Sequence, residues 1–310
     1  MATDWSSAYH APVLPAEVLG FVGDAKVVVD GTLGGGGHAL AMLEHGVGRV
    51  VGIDRDPEAA AAAQERLDAY IRKGRLEIVA GNYADPAVLQ RLPADIDAVL
   101  LDLGVSSRQL DDPDRGFTFR EGAPLDMRMD SEASVDAAGW LASVDERTLA
   151  DVLHDYGDES KAYRMAREIV RRRENRPFTT SDDLVGAIRA VLGARSGPGD
   201  FARIFQAIRI AVNDELTGLS SALPAFRDRL VGGGRLVVIA YHSGEDRIVK
   251  NAFRDWSSDC VCPPKQPVCT CRGRALGKTL TRKAVTAGPI EMAANSRSRS
   301  ARLRAWQKAQ

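Results

Sequence analysis

Three aspartates stand at the ends of apolar runs. Asp30 closes Val27-Val-Val-Asp30 and opens the turn Gly31-Thr-Leu-Gly34-Gly-Gly-Gly37, which leads into His38-Ala-Leu-Ala-Met-Leu43. Asp54 closes Arg49-Val-Val-Gly-Ile-Asp54, and Asp102 closes Ile96-Asp-Ala-Val-Leu-Leu-Asp102. Consecutive glycines allow positive φ and a close approach of backbone to a ligand. The helix that follows aims unpaired N–H groups at the same place. A carboxylate can accept two hydrogen bonds from a vicinal diol. Asp54 follows Asp30 by 24 positions, near the ~20 at which an acid of a nucleotide-binding fold reaches a ribose. Asp56-Pro57 is the better helix cap, which leaves Asp54 for a ligand.

The spacing also bears on which ligand. A G-x-G-x-x-G fingerprint begun at Gly34 ends on Ala39, which only its looser form tolerates. Acid-x-x-x-Gly-x-Gly, on Asp30, Gly34 and Gly36, fits better and resembles the first motif of S-adenosylmethionine (AdoMet) methyltransferases. Thr32 stands where that motif usually has a glycine. Tyr83, after Gly81-Asn82, is placed either to cover an adenine face or to pack in the core. Asp102 is the candidate catalytic group, binding cofactor, orienting a base, or both. Many amino-methylating enzymes carry Asp/Asn-Pro-Pro-aromatic at this strand tip. Here Asp102-Leu-Gly-Val stands instead.

To position these groups the chain needs parallel strands with helices between them. The runs at 27–30, 49–54, 75–80 and 96–102 are β-branched and almost wholly apolar, as central parallel strands are. Helical patterns separate them, so an α/β, doubly wound, Rossmann-like sheet is expected. From Ser106 to Asp130 no period holds, yet aromatics and methionines argue against disorder. That stretch is read as part of the site wall. Residues 134–206 read as helices without a strand, one of them the arginine-rich Lys161–Arg173. The strand pattern returns at Gly232–His242. The reading is therefore a discontinuous sheet domain, 1–108 and 207–310, with an inserted helical, RNA-recognising domain, 109–206.

Composition excludes several classes. The chain has 310 residues, 45% of them hydrophobic, and a net charge of −1, so no global field draws in nucleic acid. No apolar run approaches the ~20 residues of a membrane span, and Met1–Ser6 has no signal-peptide pattern. A cytoplasmic protein is expected. Charge is nonetheless segregated: from Arg272 onward ten Lys or Arg face only Glu291. With Trp306 among them, that tail reads as an RNA surface. Cys260-x-Cys262 and Cys269-x-Cys271 are tighter than common zinc spacings. Zinc, reduced packing cysteines and a disulfide stay open there, and no metal is assigned to the site.

Together the motifs resemble the MraW family of small-subunit ribosomal RNA methyltransferases. They are Asp30–His38, Ile53-Asp-Arg-Asp-Pro57, Leu100-Leu-Asp-Leu-Gly-Val-Ser-Ser107, Gln109-Leu-Asp-Asp112, Arg115-Gly-Phe117, Pro124-Leu-Asp-Met-Arg-Met-Asp130, Phe205-Gln-Ala-Ile-Arg209, Asn213-Asp-Glu215 and His242-Ser-Gly-Glu-Asp-Arg-Ile-Val-Lys250. The resemblance, from about His10 to Arg304, implies an AdoMet-binding sheet split by a helical insertion and N4-methylation of a cytosine in the 16S rRNA decoding centre. It implies cofactor contacts at Gly36, Gly37, His38, Asp54, Tyr83, Asp102 and Gln109, and the small ribosomal subunit as partner. Oligomeric state stays open, a homodimer included. Arg108, Tyr241 and Gly244 depart from the family's frequent proline, phenylalanine and bulkier residue. Two other classes fit less well. An NAD dehydrogenase needs a phosphate-cradling glycine triplet. A non-catalytic RNA-binding assembly protein has no need of Asp30, Asp54 and Asp102 together.

Overall fold

The computed structural model describes residue 5, residues 11–23, 25–263, 266, 268 and 270–310. His10 and Cys269 therefore lie outside the described residues. The chain divides into two compact units, Met1–Gly104 with Leu216–Gln310, and Val105–Glu215.

The first unit is built on a sheet of seven strands: β1 Val27–Asp30, β2 Arg49–Asp54, β3 Leu76–Ala80, β4 Ile96–Asp102, β5 Leu230–Ala240, β6 Gly277–Thr279 and β7 Arg302–Lys308. Their order is β3-β2-β1-β4-β5-β7-β6. Pairings from β3 to β5 are parallel, and β7 runs antiparallel to both β5 and β6. Successive residues of the central strands go to opposite faces, as the period of a strand requires. Val28, Val50, Leu100 and Val237 join the core beneath the helices Pro15–Val22 and Gly37–His45. Val29, Val51, Leu101 and Val238 join the core that holds Leu219, Phe226 and Phe253. Each such side chain contributes roughly 1.5–3 kcal/mol by leaving water, and a strand apolar on both faces can only sit between two layers.

β7 corrects the reading of the basic tail. Ala301, Leu303, Ala305 and Trp306 are fully buried, and Trp306 stacks edge-on against Trp256 at 5.3 Å. Arg302 and Arg304 alternate with Ala301, Leu303 and Ala305 because the segment is a strand, while Trp306 enters the core on the other face with Phe253 and Trp256, so it is core and not an RNA platform. Arg304 binds Asp246 through two nitrogens, at 2.6 and 3.1 Å.

The second unit is helical: Ser107–Asp111, Ala137–Ser143, Glu146–Asp155, Ala162–Arg173, Ser181–Leu192 and Pro198–Val212. Its core gathers Leu149, Leu153, Met165, Ile169, Leu184, Ile188, Ile204 and Ile208. The boundary read at 206/207 falls inside Pro198–Val212. That helix buries Ile204, Phe205 and Ile208 in this core, so the unit runs on to Glu215. The stretch 106–130 also belongs mostly to it. Leu125 and Met127 are core residues, and the Arg115 guanidinium donates to Arg128 O and Met129 O, both at 3.1 Å. Asn213 fastens the same stretch: its Oδ1 accepts Met129 N–H at 2.8 Å and its Nδ2 donates to Met127 O at 2.7 Å. The motif Asn213-Asp-Glu215 thus does structural work, with Glu215 holding Arg209 at 2.8 and 3.0 Å.

Candidate active site

The tips of β1, β2, β4 and β5 bring the site together, at the carboxyl ends of parallel strands where open α/β sheets bind ligands. Asp30 is fully buried at the end of β1. Its Oδ1 accepts Thr32 N–H at 3.2 Å, while Oδ2 has no hydrogen-bond partner. Burial pushes the Asp30 carboxyl up to about 7, against the opposing pull of His38.

The turn that follows takes its shape from two glycines. Gly34 and Gly36 have φ of 53° and 75°, values strained for other residues. A Cβ on Gly34 would meet nothing within 4 Å, so the turn leaves open space on that side. Thr32, the departure from an all-glycine motif, has a use: its Oγ1 accepts Asp102 N–H at 2.6 Å. The turn is thereby tied to the tip of β4.

Asp54 holds the turn from the other side. Its Oδ2 accepts Gly34 N–H at 2.7 Å and its Oδ1 accepts Asp56 N–H at 2.9 Å. Burial raises the Asp54 carboxyl above its ordinary range even so, although an edge stays exposed. Asp56 caps the helix Pro57–Arg72 by accepting Glu58 N–H at 3.1 Å. Tyr83 is nearly buried in the core, and a Cβ on Gly31 would lie 3.5 Å from its Cβ.

Asp102 lies at the centre of this group. Its Oδ1 accepts the Tyr241 hydroxyl at 2.8 Å. Its Oδ2 lies 3.4 Å from His38 Nε2, close in distance but out of hydrogen-bond alignment, and neither ring nitrogen of the buried His38 has a hydrogen-bond partner. Burial, and then the Asp102 charge, push the Tyr241 phenol well above 10, so it remains a donor at any physiological pH. Sequence reasoning noted Tyr241 only as a departure from phenylalanine. The available signal was its place one residue beyond β5, the neighbour of β4.

The backbone after β5 is fixed by Glu245, whose Oε2 accepts Tyr241 N–H at 2.8 Å and His242 N–H at 3.3 Å. Gly244 has no room for the bulkier residue: a Cβ there would lie 3.1 Å from the His242 ring and 3.2 Å from Leu216. Beside Tyr241 a pocket opens, lined by His242, Ser243, Thr286, Arg299 and Arg302. Two arginines are thus among the residues that share this pocket with Tyr241, and Arg302 also lies 3.6 Å from Asp246.

Of the residues read from sequence, Gly36, Gly37, His38, Asp54, Tyr83 and Asp102 are gathered in this unit. Gln109 is in the helical unit. There its Oε1 accepts Ser106 N–H at 2.9 Å and its own N–H donates to Ser106 Oγ at 3.2 Å, a capping box. The buried, unsatisfied polar atoms of Asp30 and His38 ask for a polar ligand, since such groups cost roughly 1–3 kcal/mol each when left unpaired. The open glycine turn and two strand-tip carboxylates suit a nucleoside bearing a cationic tail. The residues therefore fit AdoMet.

The sequence profile described as the MraW methylase family matches residues 7–309. A ribosomal RNA small subunit methyltransferase H of Gemmatimonas aurantiaca is 62% identical, covering 98% of this chain and 96% of its own length. Proteins of the same name from Heliobacterium mobile and Geotalea uraniireducens are 45% and 46% identical. They cover 97% and 98% of this chain, and 99% of their own length in both cases.

Proposed function

Since this chain belongs to the MraW methylase family, we propose that it transfers the methyl group of AdoMet to small-subunit ribosomal RNA, and specifically to the exocyclic N4 of a cytidine in the 16S decoding centre. The observation that carries the cofactor half is the buried, unpartnered Asp30 Oδ2 beside the His38 ring under an open glycine turn. Gly34 leaves the open space beside which Gly36 and Gly37, packed on Leu67 and Pro12, offer their backbone to the cofactor, Asp54 takes the ribose hydroxyls, and Tyr83 borders the adenine side.

Bound AdoMet supplies an activated methyl group, so alignment is the enzyme's main task. A cytosine amino group is a weak nucleophile because its lone pair is delocalised into the ring. Asp102 can accept one of its N–H hydrogens, which frees the lone pair to point at the donor, and can take up the departing proton late in transfer. Tyr241, by occupying Oδ1, fixes the carboxylate so that Oδ2 is the atom left for this work. The RNA half rests on family membership and on Arg299 and Arg302 in the neighbouring pocket, guanidinium groups suited to phosphate.

The test uses small subunits from cells lacking the methylation, incubated with the purified protein and tritiated AdoMet. Label is expected in N4-methylcytidine after digestion of the 16S rRNA to nucleosides. Label confined to another nucleoside would overturn the N4 assignment, and absence of label on any ribosomal RNA would overturn the larger reading.

A further inference from the structure

The loop between the helix Ser243–Trp256 and β6 is well held at its base. Arg272 donates to Asp255 O and, at 3.0 Å, to Ser258 O. Ala275 N–H donates to Asp259 Oδ1 at 3.1 Å, and Leu276 N–H to Trp256 O at 2.8 Å. Beyond the base, the apolar residues described are not buried: Val261 and Val268 are 44% and 70% exposed.

What the loop gathers instead is sulfur. Cys260, Cys262 and Cys271 place their Sγ atoms within 4.8 Å of one another, and Cys260 and Cys271 are 3.8 Å apart. Zinc–thiolate bonds of about 2.3 Å give a tetrahedron whose edges are about 3.8 Å. Backbone donors point at the same atoms. Val261 N–H reaches Cys271 Sγ at 3.4 Å, and the Cys262 sulfur takes N–H groups of Thr270 and Cys271.

We propose that Cys260, Cys262 and Cys271 are ligands of a structural zinc ion that cross-links this loop. The assignment is independent of the methyl-transfer site and goes beyond it. Soft thiolates select zinc over the hard cations that oxygen ligands prefer. A short C-x-C step cannot by itself spread two ligands around zinc, which is why spacing alone left the matter open. Closure of the loop resolves this, because it sets Cys271 of the second pair against Cys260 of the first. Three thiolates leave one tetrahedral position for a further ligand. Where the described apolar side chains of the loop are exposed, metal binding supplies the ordering energy.

The full chain, expressed with added zinc and dialysed under reducing conditions against metal-free buffer, is expected to keep about one zinc per chain by elemental analysis. Cobalt(II) in its place is expected to show the intense visible bands and thiolate charge-transfer absorption of a tetrahedral sulfur site. The double substitution Cys262→Ser with Cys271→Ser is expected to lose the metal and to open the loop to protease, with AdoMet affinity unchanged. Less than about a tenth of an equivalent of zinc in the unmodified protein, or undiminished zinc in the double variant, overturns the proposal. The cobalt spectrum needs no variant, so a variant that fails to fold does not blunt the test.

Discussion

Tyr241 donates its phenolic hydrogen to Asp102 Oδ1 at 2.8 Å, joining the tips of two adjacent parallel strands through side chains. The bond leaves one carboxylate oxygen committed and the other facing His38. Removing the hydroxyl with Tyr241→Phe leaves the ring, and hence the packing, in place. Loss of a hydrogen bond to a charged group is expected to cost about 1.5–3 kcal/mol in transition-state alignment. Methyl transfer at saturating AdoMet should fall by roughly an order of magnitude or more. AdoMet affinity should change little. An unaltered kcat would show that Asp102 needs no such anchor.

Asp54→Ala removes the acceptor of Gly34 N–H and Asp56 N–H together with the proposed ribose contact. Calorimetry is expected to show AdoMet binding weakened by about 1.5–3 kcal/mol. Unchanged affinity would remove Asp54 from the site.

Asp30 carries a signature in pH. Its folded carboxyl titrates at about 7, against about 3.9 in an unfolded chain. The folded state therefore holds a proton where the unfolded state has released it. The associated stability is fully present below about pH 4 and is lost as pH rises through about 7. Melting of the ligand-free protein should show this fall between about pH 4 and pH 7 and level off above it, and Asp30→Asn should flatten it. Equal slopes for the two proteins would mean that Asp30 ionises normally.

The basic residues divide into two kinds. Arg304, nearly buried against Asp246, is expected to act on stability, with Arg304→Ala costing about 3 kcal/mol by removing the two-nitrogen pairing of a buried carboxylate that then keeps only Arg302 at 3.6 Å. Arg299 and Arg302 line the pocket beside Tyr241. Neutralising both is expected to flatten the dependence of log affinity on log salt for the small subunit by about 0.7 per lost phosphate contact. In the helical unit Arg173 donates to Leu141 O and Val144 O, both at 2.6 Å, so it is a brace. The exposed Lys161 and Arg164 are the ones to test there. Wild-type salt dependence in both variants would make these surfaces ordinary.

Asn213→Ala is expected to destabilise the helical unit by about 2–4 kcal/mol, because it orphans Met129 N–H and Met127 O, both in buried surroundings. Denaturant melts would register the loss. A change below about 0.5 kcal/mol would mean that water replaces the amide.

What could be read from sequence follows from what each residue depends on. Val27–Asp30, Arg49–Asp54 and Ile96–Asp102 declare themselves because parallel strands buried on both faces are apolar throughout. Their terminal acids are then placed by the fold. β7 was concealed because arginines at 302 and 304 interrupt its apolar residues, of which one is only an alanine, Ala305, a weak alternation beside a strong charge signal. Tyr241 could be placed one residue beyond a strand, but its meeting with Asp102 depends on β5 lying next to β4 across more than a hundred intervening residues, which the sequence pattern does not state. Thr32 looked like a blemish in a glycine motif until its bond to Asp102 N–H gave it a reason. The cysteines show the opposite case, in which the spacing was visible but only the closed loop shows which sulfurs lie together.

The nesting of one unit within the other also sets a timetable. β4 pairs with β5 in a register that joins Leu100 to Val237, 137 positions later. While the intervening chain is a coil, bringing those strands together carries the entropy of closing a very long loop, about 0.6 kcal/mol more for each doubling of its length. The helical unit is dominated by contacts between neighbouring helices, the kind that form fastest. Once it has collapsed, the two strands are joined by a compact body rather than a long random segment. The insertion is thus a folding aid as well as a domain: sequences that loosen it should slow completion of a sheet to which it contributes no strand.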